Sequence, residues 1–220
     1  MPGPEIKHID GAAAFSKAFG VSRETTARLE TYAALLKRWQ KTFNLVAPST
    51  LDDVWHRHFA DSAQLWVHRP DGAKSWIDIG SGAGFPGLVL AILAADVGGT
   101  QYTLVESDSR KAAFLREVAR ETGVAVDILC ARIESPETHS KVNAVDCVTA
   151  RALAPLPRLF ALAEGCFSSS TVGLFLKGRG AQVDRDAALV VWDFESEVVP
   201  SVTESGSAIV VVRRLRRKVL

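Results

Sequence analysis

Apolar positions recur at two different spacings along the chain, and the change falls near residue 74. Between Ser22 and Phe43 they return every three or four residues, which predicts an amphipathic helix with Ser22 as its N-cap. The stretch 49–67 repeats this pattern, with acidic residues first and an apolar face behind them. We therefore expect residues 1–73 to form an N-terminal helical extension and residues 74–220 a second unit.

Beyond residue 74, short apolar runs alternate with amphipathic stretches. The pattern predicts strands at 75–79, 101–106, 125–130, 143–150 and 171–178. It predicts helices after the first glycine-rich turn, at 109–123 and at 156–167. Such alternation indicates an α/β fold with a parallel sheet covered on both faces. The last apolar runs, 192–202 and 207–215, flank the sequence TESG and predict a C-terminal antiparallel hairpin.

Composition narrows the class of protein. The 220 residues include 47% hydrophobic and 23% charged residues with a net charge of +1, which is typical of a soluble globular protein. A nucleic-acid footprint would have to be local, because the chain as a whole is nearly neutral. The candidate basic groups are Lys37, Arg38, Lys41, Lys177, Arg179 and the tail RRLRRK at 213–218.

The beginning of the chain and its cysteines bear on the compartment. The sequence MPGPEIKHIDG lacks the plan of a signal peptide, and no apolar run is long enough to span a membrane. Three scattered cysteines indicate reduced thiols, and we expect Cys130 and Cys147 to be small core residues rather than nucleophiles. We therefore expect a soluble cytoplasmic protein.

The sequence DIGSGAGFPGLVLAI places four glycines within eight residues between a predicted strand and a predicted helix. Glycine permits positive φ angles and lets a ligand approach the backbone, while a helix N-terminus supplies free N–H groups. This arrangement is typical of a nucleotide-like cofactor site. The glycines are Gly80, Gly82, Gly84 and Gly87.

Three further residues bear on the cofactor, and two of them favour one cofactor class. Glu106 ends the next predicted strand, 26 residues after Gly80, and its carboxylate is suited to hold two ribose hydroxyls. NAD, FAD and S-adenosylmethionine all remain open at this point. Asp78 stands where dehydrogenases usually carry an apolar residue, and Pro86 removes an N–H that a pyrophosphate would need, so both favour S-adenosylmethionine.

A second polar cluster lies in HRHFADS. Arg57, His58 and Asp61 fall on one helical face at spacings of three and four residues. They are suited to bind a phosphate, to hold a base, or to form an ion-pair network that braces the helical extension. His56 and His58 point apart on a helix and would chelate a metal poorly, so we expect no metal. Phe85 and Trp39 are candidates to stack on a flipped-out base, although Trp39 is favoured as a core residue.

Six segments in a fixed order carry a family resemblance. They are WQKTFNLVAPSTLDDVWHRHFADSAQL, DIGSGAGFPGLVLAI, LVESDSRKAAFLREV, ARIES, VTARALAPL and LFLKGRG. Over roughly residues 33–212 the chain resembles the ribosomal small-subunit RNA guanine-N7 methyltransferases called RsmG or GidB. The resemblance implies a Rossmann-like class I methyltransferase fold and methyl transfer from S-adenosylmethionine to N7 of one guanine in bacterial 16S rRNA.

The residue patterns and the resemblance together give expected roles for individual residues. The expected cofactor-binding residues are Asp78, Gly80, Ser81, Gly82, Gly84, Phe85, Glu106, Ile133, Glu134 and Arg151. The expected catalytic residues are His58, Asp61 and Arg151. The expected substrate-binding residues are Asn44, Arg57, Ser62, Lys177 and Arg179. The expected partner is 16S rRNA or the small ribosomal subunit, bound by a monomer without metal or membrane.

The chemistry is compatible with these residues. The N7 lone pair of guanine is free at neutral pH, so its methylation removes no proton and needs no general base, metal or covalent nucleophile. Alignment alone can supply about 7–11 kcal/mol. The sequence also lacks the [D/N]-P-P-[Y/F] motif of amine methylation. The alternatives are another RNA base or a protein as acceptor, a non-catalytic RNA-binding assembly factor and, more distantly, a dehydrogenase.

Overall fold

The computed structural model describes residues 6–136, 138, 142 and 144–218. Within these residues one sheet has the strand order β3-β2-β1-β4-β5-β7-β6. The strands are β1 Ser75–Ile79, β2 Gln101–Val105, β3 Asp127–Leu129, β4 Cys147–Arg151, β5 Val172–Lys177, β6 Trp192–Pro200 and β7 Ala208–Arg217. The first five run parallel, and β7 lies antiparallel to both β5 and β6. The predicted sheet and C-terminal hairpin are confirmed.

The described α-helices are α1 Ala12–Phe19, α2 Arg23–Gln40, α3 Asp61–Ala63, α4 Gly87–Ala94, α5 Ser109–Thr122, α6 Leu156–Ala163 and α7 Ala181–Ala188. The predicted N-cap is confirmed, because Ser22 Oγ accepts the Thr25 N–H at 2.9 Å. Helix α5 ends at Gly123 with φ +66°, as its sequence predicts. Helices α1 and α7 were not expected from the periodicity. None of the described helices is long and apolar enough to cross a membrane.

The single helix predicted at 49–67 is wrong. Pro48–Thr50 is a 3₁₀ turn, Trp55–Ala60 is π-helical, α3 follows, and Gln64–His68 is again 3₁₀. We call this stretch segment 48–68. A π-helical turn is wider than an α-helical one and is frequent at functional sites. The change of winding depends on contacts that local periodicity does not encode.

Alternate residues of the strands face opposite sides of the sheet. Trp76 and Leu104 join a cluster that also contains residues of α1, α2, segment 48–68, α4 and α5. Ile77 and Val105 join a second cluster with residues of α6 and α7. The helical extension therefore shares a core with one face of the sheet. The division at residues 73 and 74 stays a prediction.

The structure places the basic C-terminal residues and the cysteines. The basic residues 213–217 lie within the hairpin, because β7 continues to Arg217 and pairs with β6. Carboxylates of β6 pair with two of these arginines, as Arg214–Glu195 and Arg216–Asp193. The expectation of a core position holds for Cys147, which is buried, but not for Cys130, which is exposed beyond the end of β3.

Candidate active site

The glycine loop follows β1 and leads into α4. Gly80, Gly82 and Gly84 have φ angles of +68°, +57° and +95°, which L side chains rarely adopt. A Cβ added at Gly82 would meet nothing nearer than the Gly80 carbonyl oxygen at 3.9 Å, so the space beside it is open. A Cβ added at Gly84 would lie 2.5 Å from Tyr32 Oη and 2.9 Å from Leu88 Cβ. Gly82 therefore leaves room for a ligand, whereas Gly84 permits close packing.

Glu106 lies beside this loop, as the sequence predicts. It follows β2 directly and is only 7% exposed. Its carboxylate accepts the N–H of Gly82 and the N–H of Asp108, each at 2.7 Å. Each carboxylate oxygen keeps a second lone pair for another donor. Glu106 therefore fixes the loop and retains acceptor capacity at the carboxyl edge of the sheet.

Asp78 and Ser81 are buried in and beneath the loop, 1% and 2% exposed. Asp78 Oδ1 accepts from the Thr149 hydroxyl at 2.7 Å, and Ser81 donates to the Asp78 carbonyl oxygen at 3.0 Å. Burial raises the pKa of Asp78 to about 6, against the lowering effect of these hydrogen bonds. In this conformation both residues support the loop from behind, and their contact with a cofactor stays a prediction.

Arg151 ends β4 and meets segment 48–68. Its Nη2 donates to His58 Nδ1 at 2.9 Å, and its Nη1 donates to the Arg57 carbonyl oxygen at 3.2 Å and to Asp61 Oδ2 at 3.3 Å. The guanidinium carbon lies 4.9 Å from the centroid of the Phe85 ring, a cation–π distance. The structure thus brings together the three residues expected to be catalytic.

The bonds around His58 define its protonation state. An arginine can only donate, so Nδ1 accepts and the imidazole proton is on Nε2, which donates to Thr50 Oγ1 at 2.8 Å. Burial, together with the nearby charges of Arg151 and Arg57, lowers the pKa of His58 to about 3. The ring is therefore neutral near pH 7 and serves as an acceptor that holds Arg151.

The carboxylate of Asp61 is also occupied by donors. Its Oδ1 accepts from Gln64 Nε2 and from the Thr203 hydroxyl, both at 2.9 Å. Gln64 Oε1 accepts the Val202 N–H at 3.0 Å. These bonds fasten the turn between β6 and β7, residues 201–207, to segment 48–68. Asp61 therefore connects the turn to Arg151 and has no proton-transfer role in this arrangement.

A cavity of about 390 Å³ opens beside Arg151 at the carboxyl ends of β4 and β5. Its polar lining includes Thr50, Arg57, His58, Asp61, Arg151, Lys177, Thr203 and Glu204. The glycine loop does not line it, but the Leu153 side chain lies over Gly80, 2.6 Å from where a Cβ would stand. The cavity and the loop are thus neighbours on either side of the 151–153 backbone. Its volume is at the lower end of the range for small-molecule sites.

The other residues expected to bind substrate lie in different surroundings. Lys177 lines the cavity, but its Nζ donates to the Ala154 carbonyl oxygen at 2.8 Å and pairs with Asp184 at 2.6 Å. Asn44 and Arg179 are exposed and do not line the cavity. Ser62 is fully buried and donates to the His58 carbonyl oxygen at 2.7 Å, so it presents no surface to a substrate in this conformation.

The aromatic candidates are largely enclosed. Phe85 is 3% exposed and stacks on Tyr32 and His58, with ring centroids 5.3 and 4.8 Å away. Trp39 is half-buried, and its Nε1 donates to Glu117 at 2.9 Å. The structure favours the core interpretation of Trp39, and Phe85 has no free face for a base.

The two expected cofactor residues of the segment ARIES differ in exposure. Ile133 is 7% exposed and belongs to the cluster beneath β1 and β2. Glu134 is exposed and lies 3.8 Å from Arg132. Only the Ile133 side chain is enclosed by the fold, and the cofactor contacts of both residues stay predictions.

Sequence reasoning missed four residues of the site, Thr50, Gln64, Thr203 and Glu204. Gln64 stands three residues after Asp61, a spacing at which helical side chains meet, so it could have been found. The turn residues lie about 140 positions from Asp61, and no local pattern connects them. They enter the site because the hairpin folds back onto segment 48–68.

The two histidines of HRH have separate partners. His56 Nε2 donates to the Thr203 carbonyl oxygen at 2.8 Å, and its Nδ1 accepts the Ile9 N–H at 3.2 Å. His58 is committed to Arg151 and Thr50. Across the part of the chain that the structure describes, no group of three or more His, Cys, Asp or Glu side chains could hold a metal ion.

Comparisons with known proteins agree with this architecture. The model of the GidB family, described as rRNA small subunit methyltransferase G, matches residues 25–212. A relative from Parvibaculum lavamentivorans named Ribosomal RNA small subunit methyltransferase G is 47% identical over 97% of this chain and 92% of its own length. One of the same name from Methylobacterium nodulans is 51% identical over 90% of this chain and 92% of its own length.

A solved structure extends the comparison of folds. A variant of MtNAS in complex with S-adenosylmethionine superposes with a TM-score of 0.54 at 16% identity, over 92% of this chain and 77% of its own. At that identity the likeness concerns the fold alone, and it is the class I methyltransferase fold that the resemblance implied. With matching motifs, fold and relatives, the chain belongs to the GidB family of rRNA small subunit methyltransferases G and is an S-adenosylmethionine-dependent methyltransferase.

Proposed function

We propose that the chain methylates N7 of one guanine in 16S rRNA and that the base occupies the cavity beside Arg151. The observation that carries this proposal is the junction at Arg151. One guanidinium is held by His58, Asp61 and the Arg57 backbone at a cavity next to the glycine loop. Such a site would let a base and a cofactor meet at the end of β4, the base from the cavity and the cofactor from the glycine loop.

The glycine loop and Glu106 fit S-adenosylmethionine. The open space beside Gly82 admits a ligand against the backbone, and the carboxylate of Glu106 has lone pairs for ribose hydroxyls. The loop residues Gly80, Ser81 and Gly82 would hold the cofactor with Glu106, and Ile133 and Glu134 would lie beside its base. When bound, the cofactor supplies a methyl group on a positively charged sulfur.

The residues around the cavity position the base rather than move a proton. Guanine N7 attacks with a lone pair that is already free, so the transfer requires alignment and exclusion of water. His58 is neutral with both ring nitrogens bonded, and Asp61 accepts three hydrogen bonds. Arg151 has N–H groups left over, and these would donate to guanine O6 and leave N7 exposed.

Several further properties belong to the same proposal. Arg57 and Arg179 would contact the RNA backbone, and Asn44 would contact the RNA where it approaches the cavity. Lys177 would support the cavity wall through its bonds to Asp184 and to the Ala154 carbonyl oxygen. We propose a monomer that acts without metal in the cytoplasm on 16S rRNA or the small ribosomal subunit.

The direct test is mapping of N7-methylguanine in 16S rRNA from cells with and without this gene. One site should disappear on deletion, return with the wild-type gene and stay absent with Arg151→Ala. Arg158→Ala is the matched control, because Arg158 is an exposed arginine on α6, away from the cavity lining. An unchanged methylation pattern would overturn the proposal. A defect in subunit assembly with normal methylation would favour the non-catalytic assembly factor.

A further inference from the structure

At the mouth of the cavity, Glu204 pairs with one arginine, and a second arginine lies close to the same turn. Glu204, in the turn between β6 and β7, forms an ion pair with Arg57, whose Nη1 lies 2.8 Å from Glu204 Oε1. The Arg179 side chain passes over Gly206, two residues farther along, with its Cγ 3.4 Å from where a Cβ would stand. Ser207 donates to the other oxygen of Glu204 at 3.1 Å. The bond from Arg57, helped by Ser207 and the charge of Arg179, lowers the pKa of Glu204.

This pair differs from the ion pairs deeper in the cavity. The side chains of Arg57 and Glu204 are 36% and 44% exposed, whereas those of Arg151 and Asp61 are 19% and 18% exposed. An ion pair in contact with water contributes little to stability, because solvent screens it and both side chains lose entropy. The Arg57–Glu204 pair can therefore open with small loss, while the Arg151–Asp61 pair is fixed by several further bonds.

The turn does not depend on Glu204 for its position. The Thr203 hydroxyl donates to Asp61 at 2.9 Å, His56 donates to the Thr203 carbonyl oxygen at 2.8 Å, and Gln64 accepts the Val202 N–H at 3.0 Å. These bonds are less exposed than the rim pair. Release of the Glu204 side chain therefore leaves the turn between β6 and β7 in place and exposes the Arg57 guanidinium at the cavity mouth.

We propose that Arg57 and Arg179 form a binding site for an RNA phosphodiester and that Glu204 occupies this site until RNA displaces it. A guanidinium presents paired N–H donors that match the oxygens of a carboxylate and a phosphate equally well. The carboxylate of Glu204 thus takes the place of the phosphate. Its displacement would couple the approach of the RNA backbone to the opening of the cavity for the base. The proposal rests on the proposed function for the identity of the RNA.

The test is the affinity of the full chain for a labelled, unmodified 16S rRNA transcript, measured by filter binding over a series of salt concentrations. Glu204→Gln removes the competing charge and should tighten binding by about three- to eightfold near 0.1 M salt. The reason is that each phosphate contact changes the slope of log K against the logarithm of the salt concentration by roughly 0.9. The gain should shrink as the salt concentration rises. Arg57→Ala should weaken binding, and in that background Glu204→Gln should gain less.

Glu195→Gln is the matched control. It removes the same charge from another exposed ion pair, with Arg214 at 2.6 Å, in the body of β6. It should change the affinity far less than Glu204→Gln. Equal affinities of the two variants, or weaker binding by Glu204→Gln, would overturn the phosphate site.

Methyl transfer to the same transcript separates this proposal from the proposed function. If no methyl group is transferred but Glu204→Gln still binds more tightly than Glu195→Gln, the phosphate site stands and the reaction fails. If methylation occurs and the two variants bind alike, the reaction stands and the phosphate site fails.

Discussion

Substitution of Asp61 by asparagine tests whether this carboxylate holds Arg151. Oδ1 of Asp61 receives two donors, from Gln64 and Thr203, and Oδ2 receives Arg151 Nη1 at 3.3 Å. In Asp61→Asn the amide oxygen keeps the first two donors, so its NH₂ group faces the guanidinium. A donor then meets a donor, and the charge of Arg151 loses its partner.

The expected cost follows from burial. Breaking a fully buried ion pair costs about 3–5 kcal/mol, and a hydrogen bond to a charged group contributes about 1.5–3 kcal/mol. Because the side chains of Asp61 and Arg151 remain 18% and 19% exposed, solvent screens part of this loss. We expect the free energy of unfolding to fall by about 2 kcal/mol. If the same loss falls on the transition state, kcat/KM falls about 30-fold, at about 1.4 kcal/mol per factor of ten.

The assays are urea unfolding followed by tryptophan fluorescence, and methyl transfer to a 16S rRNA transcript. Asp193→Asn is the control, because Asp193 makes a comparable pair with Arg216, but with side chains 50% and 77% exposed. It should change the free energy of unfolding by less than about 0.5 kcal/mol and leave activity unchanged. Wild-type stability and activity in Asp61→Asn would refute the role of the carboxylate.

Two further predictions concern the loop and the buried histidine. Gly84→Ala should destabilise the protein by at least about 2 kcal/mol, because Gly84 has φ +95° and its new Cβ would collide with Tyr32. Gly82→Ala should cost only about 1–2 kcal/mol in backbone strain. It should instead weaken the binding of S-adenosylmethionine, measured by calorimetry. Equal stabilities with equal cofactor affinities would contradict this division. The pKa of His58 is about 3 in the folded chain against 6.5 in the unfolded chain, so the unfolded state binds more protons between these values. The free energy of unfolding therefore falls as the pH drops from 6.5 towards 3, by up to about 1.4 kcal/mol per pH unit. His58→Asn should flatten this pH dependence relative to the wild type. Asp78, with its pKa raised to about 6, increases the free energy of unfolding as the pH drops below 6, and it does so equally in both proteins. Parallel curves from unfolding at several pH values would show that His58 is not the group involved.

The elements that sequence predicted well are those whose signal is local. The glycine loop, the cap at Ser22 and the end of α5 at Gly123 each follow from conformational needs of one or two residues. The helix at 49–67 was wrong, because its winding changes where side chains reach across to other elements. The ion pairs of the basic tail could not be predicted, because local charge does not show that a strand with carboxylates lies beside it.

The same distinction holds for the candidate site. Sequence placed His58, Asp61 and Arg151 in one site, and the structure shows them in contact. It did not foresee that Ser62 and Phe85 are enclosed, since periodicity gives the face of a helix but not the depth to which neighbours cover it. Nor did it assign Lys177 its partner Asp184.

By itself the sequence determined the family, the α/β order of elements and the loop at which the cofactor site is expected. These properties rest on short motifs and on the spacing of apolar residues, which act within a few positions along the chain. Only the tertiary structure decided the partners of Arg151, the neutral state of His58 and the place of Glu204 at the cavity rim. Those features join residues up to 147 positions apart, and their electrostatics depend on burial, which exists only once the hairpin has folded back onto segment 48–68.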